Sequence, residues 1–564
     1  MKSKKEKETK ILHAIRRSSI SIAGLLVIIF LISVAPNYVK EEKVTKTKLV
    51  INNTDVTNSL KNDIIKENGT FYISIDDLRN FFDQYIIDNG DYIITTSDTK
   101  TAKINKTSTM TTINGAMTNF SEQVLNENNT YYLPIEDMKN VYDYNYSYSD
   151  ENDAIMVDSL SRKFVDATSS KNQSVKYAPT IFSKSVDKVK RGDKIVIIQD
   201  KDYQNDILIN GWVKVRSPIG KIGYMKKSNL INEETVRDNL TQDKIDGKVS
   251  IAWDYFSTNE SAPSRTGRID GINVVSPSFY NLNQSGTITK NVGDSGRNYI
   301  TWAHDNGYKV WPTFSNTFVN GLDDTSKLMQ TFETRESLIN NIIEAVVSDD
   351  VDGISIDFEN MYKEDKDKFS RFLIELAPRM QDLNKTLAVI VTAPDGSDTW
   401  SLCYDRNTIG KVSDYVIFLG YDQTPASSKV AETTSGYNWQ ELNIKKMLGQ
   451  EGIPENKLIV ASAFYTRLWK VDSNGNVVKS QVVNMNNVSI PSNASKTWDD
   501  LRKQNYIEYK DGSYTYKMWI IDEESISCKL DLINNYKLAG AGFWELDRET
   551  AGVWKIISEK LEVK

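Results

Sequence analysis

Over residues 351–362 the chain reads V-D-G-I-S-I-D-F-E-N-M-Y, and Ile354, Ile356 and Phe358 alternate with Ser355, Asp357 and Glu359. A period of two fits a strand with one apolar and one polar face, so Asp357 and Glu359 point the same way. Comparable apolar runs recur at 249–254, 272–278, 310–314, 353–359, 387–393, 415–421, 458–464 and 541–546, separated by longer amphipathic stretches. Eight strands alternating with helix-length intervals predict one (β/α)8 TIM barrel over 247–564. The interval 465–538 exceeds one helix and predicts an inserted α+β subdomain forming one wall of a groove.

Upstream, Asn-Gly-Thr-Phe-Tyr-Ile-Ser-Ile-Asp-Asp-Leu (68–78) can be laid over Asn-Asn-Thr-Tyr-Tyr-Leu-Pro-Ile-Glu-Asp-Met (128–138). Each copy reads as turn, strand and a helix opening at the acidic pair, so 46–158 is predicted to be a duplicated α+β module. It resembles the small duplicated domain at the N-terminus of copper amine oxidases and of many bacterial envelope proteins. That resemblance implies a packing or wall-associating role without copper chemistry, since no histidine lies there. A Ser/Asn/Lys-rich linker is expected at about 161–175, then short strands over 176–232, then a polar linker at about 233–246. The W-V-K-V…G-K-I-G-Y-M pattern beginning at Trp212 resembles bacterial SH3-like domains and implies a small β-barrel, either a spacer or a wall-binding module.

At the start of the chain, a basic segment (1–19) ending near Arg16-Arg17 precedes a nearly continuous apolar run within 20–36. A basic flank before an apolar stretch close to membrane length predicts a single-pass transmembrane anchor with the remainder outside the cytoplasm. Ser33-Val34-Ala35 offers small residues that a signal peptidase accepts, but Pro36 directly after the cut disfavours cleavage, so the anchor is expected to persist.

Composition narrows the chemistry. The 564 residues carry a net charge of -7 with basic residues scattered along the chain, which points away from a nucleic-acid partner. With two histidines (His13, His304) and two cysteines (Cys403, Cys528), a His/Cys zinc site is not expected, and any Ser-His-Asp triad would depend on His304. Chemistry therefore falls to carboxylates and tyrosines. Two carboxylates at one strand end raise each other's proton affinity, which makes Glu359 the first candidate for a general acid. Trp253, Tyr280, Trp311, Phe314 and Trp544 lie near predicted strand ends, where aromatic rings serve either as core or as platforms for sugar C–H faces.

The segment D-G-I-S-I-D-F-E resembles the D-G-x-D-x-D-x-E signature of family 18 glycoside hydrolases in Asp352, Gly353, Asp357 and Glu359, and departs from it at Ser355. Leu419-Gly420-Tyr421-Asp422-Gln423 resembles the family's M-x-Y-D segment, and Gly-Phe-Trp-Glu-Leu around Trp544 resembles its last strand. The segments around 463–469 and 524–540 resemble the spore and envelope branch. The resemblance implies catalytic roles for Glu359, Asp357 and Tyr421, substrate contacts for Asp352, Asp422, Gln423 and Trp544, and no cofactor or metal. It implies retaining hydrolysis of β-linked N-acetylated glycan, peptidoglycan or chitin, assisted by the substrate's own acetamido group.

Overall fold

The two copies of the N-terminal repeat pair with each other. This is a computed structural model that describes residues 46–160, 164–198, 208–236, 245–257, 260–283, 286–316 and 321–563. The first copy folds Ile65–Glu67 against Thr70–Ser74 through Asn68 and Gly69, both at positive φ, and the second folds Leu125–Glu127 against Thr130–Pro134 through Asn128 and Asn129. The hairpins join antiparallel, with Ile73 opposite Leu133, Tyr72 opposite Pro134 and Ser74 opposite Tyr132, so equivalent positions of the repeat meet across a local two-fold. Ser74 caps the helix Ile75–Phe81 by accepting the Asp77 amide hydrogen. Pro134 replaces it in the second copy and offers no hydroxyl, and the helix there is confined to Lys139–Tyr142. The second acid of each pair is structural: Asp77 accepts the amides of Lys61 and Asn62, and Asp137 accepts that of Ser121.

The expected linker at 161–175 is instead largely sheet. Phe164–Ser169 pairs with Lys194–Ile197 and Leu230–Val236, and Gln173–Lys176 pairs with Ser185–Val189. Val165, Ala167 and Ser169 face inward in strict alternation, a period of two that the polar composition conceals. The sheet therefore extends beyond the expected 176–232 at both ends.

The described residues divide into two compact units, one drawn from within 1–97, 102–113 and 117–241, the other from within 98–101, 114–116 and 242–564. In the second, eight parallel strands close a barrel: β1 (Val249–Asp254), β2 (Val274–Pro277), β3 (Lys309–Val310 and Thr313–Ser315), β4 (Gly353–Asp357), β5 (Thr386–Val391), β6 (Tyr415–Leu419), β7 (Leu458–Ala463) and β8 (Gly540–Trp544), with β8 pairing β1. Pro312 interrupts β3, yet pairing carries across, since the Asp352 amide donates to Val310 O at 3.0 Å and the Ser355 amide to Pro312 O at 2.9 Å. All eight strands lie where the apolar runs place them.

Between β7 and the helix Glu523–Asn535, the insertion is a five-stranded antiparallel sheet of Tyr465–Val471, Val477–Asn484, Ser495–Asp499, Gln504–Asp511 and Tyr514–Ile520. This corrects the expected α+β subdomain: the helix in that interval packs on the barrel helices Tyr437–Gly449 and Val553–Leu561, and the insertion's own strands carry aromatic and β-branched residues at period two. Cys403 and Cys528 are both free thiols. Among the described residues no helix is long and apolar enough to cross a membrane, and the expected anchor at 20–36 lies outside the described residues.

Candidate active site

The strand β4 sorts its residues by face. Ile354 and Ile356, with Phe358 just after the strand, are buried in the layer between strands and helices, where Phe358 stacks on Phe372 at 5.9 Å. Ser355 and Asp357 consequently face the barrel interior. Asp357 ends the strand beside Ser315 of β3, and Glu359 follows on the loop at the C-terminal mouth of the barrel, where such folds keep their active sites.

Two side chains fix the backbone here. Asn316 accepts the Glu359 amide hydrogen through Oδ1 at 2.9 Å and donates from Nδ2 to Glu359 O at 2.9 Å. The Tyr404 hydroxyl donates to Phe358 O at 2.7 Å. Neither residue stands out in the sequence, because each acts through the main chain of a distant segment and belongs to no motif.

Burial pushes the Asp357 carboxyl well above its usual range, and Glu359 adds to this. Glu359 is raised by burial and then by Asp422. Asp357 Oδ1 and Ser355 Oγ are buried without a hydrogen-bond partner. Tyr421 follows the end of β6, and its hydroxyl is held protonated by burial and by the surrounding Tyr465, Asp357, Glu359 and Asp422. Asp422 adopts φ +55°, accepts the Tyr465 hydroxyl at 2.7 Å and lies 3.7 Å from the Arg467 guanidinium. The site thus gathers a proton-holding acid pair, a phenol donor and an anchored carboxylate, a set suited to protonating a leaving oxygen and binding a carbonyl.

The aromatic candidates divide. Trp544 is partly exposed and lies 6.0 Å from Trp253 and 5.9 Å from Tyr255. Trp253 is 2 % exposed and supports Trp544 from beneath, whereas Tyr255, absent from the sequence-based candidates although two residues beyond Trp253, is 54 % exposed. Tyr280 and Phe314 are core: Tyr280 is 1 % exposed and donates its hydroxyl to Asp349 at 2.9 Å. Trp311, also 1 % exposed, packs near Gly353 and stacks on Tyr415 at 5.4 Å, both at the starts of their strands and so at the opposite end of the barrel.

Asp352 is likewise at the wrong end for substrate. It precedes β4, about 16 Å along the strand from Asp357 at roughly 3.3 Å per residue. There it accepts the Val310 amide at 3.0 Å and meets His304 at 2.9 Å and Lys309 at 3.2 Å. Burial opposes its charge, but the Val310 amide, then His304 and Lys309, hold its carboxyl below the ordinary value. Its role is structural, as the fastening of β4 to β3. Gln423 accepts the Gly436 amide hydrogen through Oε1 at 2.9 Å, which engages its carbonyl in the loop after β6.

A (β/α)8 barrel with a buried carboxylate pair at its C-terminal mouth and an aromatic floor defines a glycoside hydrolase. Residues 252–549, more than half of the chain, match the glycosyl hydrolases family 18, and the chain belongs to that family. Bacillus subtilis YdhD, named as a sporulation-specific glycosylase, is 26% identical over 287 residues, covering 49% of this chain and 66% of its own length. The cortical fragment-lytic enzyme of B. subtilis is 22% identical over 250 residues, 43% of this chain and 57% of its own length. The crystal structure of the Bacillus megaterium spore cortex-lytic enzyme SleL is 17% identical with a TM-score of 0.47, covering 60% of this chain and 79% of that one.

Proposed function

We propose that the protein is an exported, membrane-anchored N-acetylglucosaminidase-type enzyme that hydrolyses peptidoglycan or its fragments, with weaker action on chitin oligomers. The observation that carries this reading is the grouping of Asp357, Glu359 and Tyr421 at one mouth of the barrel above the Trp544 floor. Glu359 donates its proton to the glycosidic oxygen while the sugar's acetamido oxygen attacks the anomeric carbon, releasing the leaving sugar and forming an oxazolinium ion. Asp357 orients the acetamido N–H and offsets the positive charge, and Tyr421 donates to the acetamido oxygen. Glu359, now a carboxylate, takes a proton from water, which adds to the anomeric carbon and opens the ring with net retention.

Peptidoglycan is favoured over chitin by the similarity to a cortical fragment-lytic enzyme and by the basic flank and apolar run at 1–36, which support an envelope location. The duplicated module and the SH3-like segment would hold it at the wall. Incubating the protein with peptidoglycan fragments and with chitin oligomers, and reading new reducing ends by mass spectrometry, tests the substrate. Products from chitin alone would reverse the preference. External protease on fractionated cells tests the anchor: release of a soluble form beginning near Pro36 would show cleavage.

Ser355 supports a second reading, a glycan-binding barrel that does not cut. It occupies a buried position where chitinases of the family usually carry an aspartate that shares a proton with the next, and both its Oγ and Asp357 Oδ1 lack a partner. Tight binding of both glycans without new reducing ends would favour it.

A further inference from the structure

Asp422 holds a left-handed backbone at φ +55°, a conformation that costs a non-glycine residue about 1 kcal/mol and persists only where the surroundings enforce it. The enforcing elements lie on both sides of the Tyr421-Asp422 pair. Before it, Gly420 O accepts the Ser435 hydroxyl at 2.6 Å and the Gln440 Nε2 at 2.7 Å. After it, the Gln423 amide donates to Thr434 O at 2.9 Å, and Gln423 Oε1 accepts the Gly436 amide at 2.9 Å. The segment 434–436 therefore grips the main chain on either side of the two site residues.

That segment is tied down in turn from behind. Thr433 donates to Gln504 of the insertion at 2.6 Å, and Lys529, from the helix Glu523–Asn535, donates to Ser435 Oγ at 2.8 Å. Since the Ser435 hydroxyl hydrogen is given to Gly420 O, its lone pairs are open to the lysine. Lys529 is buried among Gln440, Val460, Ser462, Ala541 and Phe543. Burial pushes its amine down to about 7, with Asp522 and Cys528 the titratable groups that partly offset this. The glycine is part of the arrangement, because a Cβ at residue 420 would lie 2.8 Å from Gln440 Nε2 and 2.5 Å from Ala461 O.

We propose that Lys529, Ser435 and Gln440 form a buried brace that holds Tyr421 and Asp422 in working geometry, Lys529 being a positioning residue that never touches substrate. This rests on the glycosidase reading above. The test compares the full chain with Lys529→Met, Ser435→Ala and the double variant. Methionine keeps length and bulk while removing a buried amine, so K529M is expected to melt no lower than wild type. Its kcat should fall about tenfold with KM within about twofold, as for a misplacement remote from the chemistry. Ser435→Ala, which also loses the bond to Gly420 O, should lower kcat at least as much, and the double variant should be no worse than Ser435→Ala, because Lys529 acts only through Ser435. Hydrogen exchange at the Gln423 amide should speed up in each.

Unchanged kcat in folded K529M overturns the proposal, as does a fall in melting temperature with kcat intact, which would mark a space-filling role. If wild type itself cleaves nothing, the glycosidase reading fails separately. The exchange rate at Gln423 then decides the brace: acceleration in K529M supports it, and an unchanged rate overturns it.

Discussion

The Asp422 carboxylate, 2.7 Å from the Tyr465 hydroxyl, raises the proton affinity of Glu359, and Glu359 in turn raises that of Asp357. Three acids from two strand ends thus form a line in which each charge makes the next carboxyl keep its proton longer, beyond what burial already does.

Glu359→Gln removes the proton donor with almost no change of shape, so hydrolysis should drop about 10² to 10⁴-fold in a protein with unaltered circular dichroism. Wild-type activity in the folded variant would remove Glu359 from the mechanism.

Asp422→Asn deletes a negative charge that raises Glu359, while the amide oxygen still accepts from Tyr465. Because Glu359 must be protonated to act, the alkaline limb of kcat against pH should move to lower pH. A limb that stays in place across about pH 4 to 9 would show that Asp422 does not tune the acid.

Asp357 and Glu359 both have folded pKa values above their unfolded ones. Such groups favour the folded state fully below the unfolded pKa and lose that contribution as pH rises through the folded value. Asp357→Asn should therefore gain melting temperature relative to wild type on going from about pH 4 to 7. Parallel melting curves at all pH values would contradict the raised pKa.

The opposite sign applies to Asp352, whose folded pKa is depressed. Asp352→Ala should lower stability by about 1–3 kcal/mol near neutral pH, through lost charge-assisted bonds, with kcat close to wild type. The deficit should shrink as pH falls through the folded value, since wild type then loses the same contribution. A variant of normal stability and impaired KM would return Asp352 to the substrate site.

Tyr255→Ala should raise KM several-fold without loss of stability, as half of the ring is exposed beside Trp544. Trp311→Phe should leave KM unchanged because its ring is buried at the far end of the barrel. The reverse result would exchange their roles.

The barrel was legible because its strands are apolar runs of characteristic length, and the acid pair because β4 shows its alternation openly. The strand before Gln173 was not legible because the inward row of Phe164–Ser169 is Val, Ala and Ser, small side chains set among polar neighbours, which leaves too little apolar character to mark a strand by composition. Among the aromatics, nearness to a strand end did not say which end: Trp311 lies in the break of β3 on the inner side and Tyr280 faces the helices, whereas Trp544 and Tyr255 lie at the open mouth.

By itself the sequence determined the periodicities: eight apolar runs, an internal repeat, and Asp357 and Glu359 joined by two steps of a strand. These are local, since a strand carries its facing in its own alternation. What only the tertiary structure decided is which distant groups meet there. Asp352 belongs to the opposite end of the barrel because it precedes the five-residue strand that Asp357 ends, and Asn316, Tyr404 and Ser435 reach the site's backbone from other loops, with Lys529 behind Ser435. Hydrogen bonds to main-chain atoms leave no pattern in the side chains they hold, and charge acts through space, so these relationships exist only once the barrel has closed.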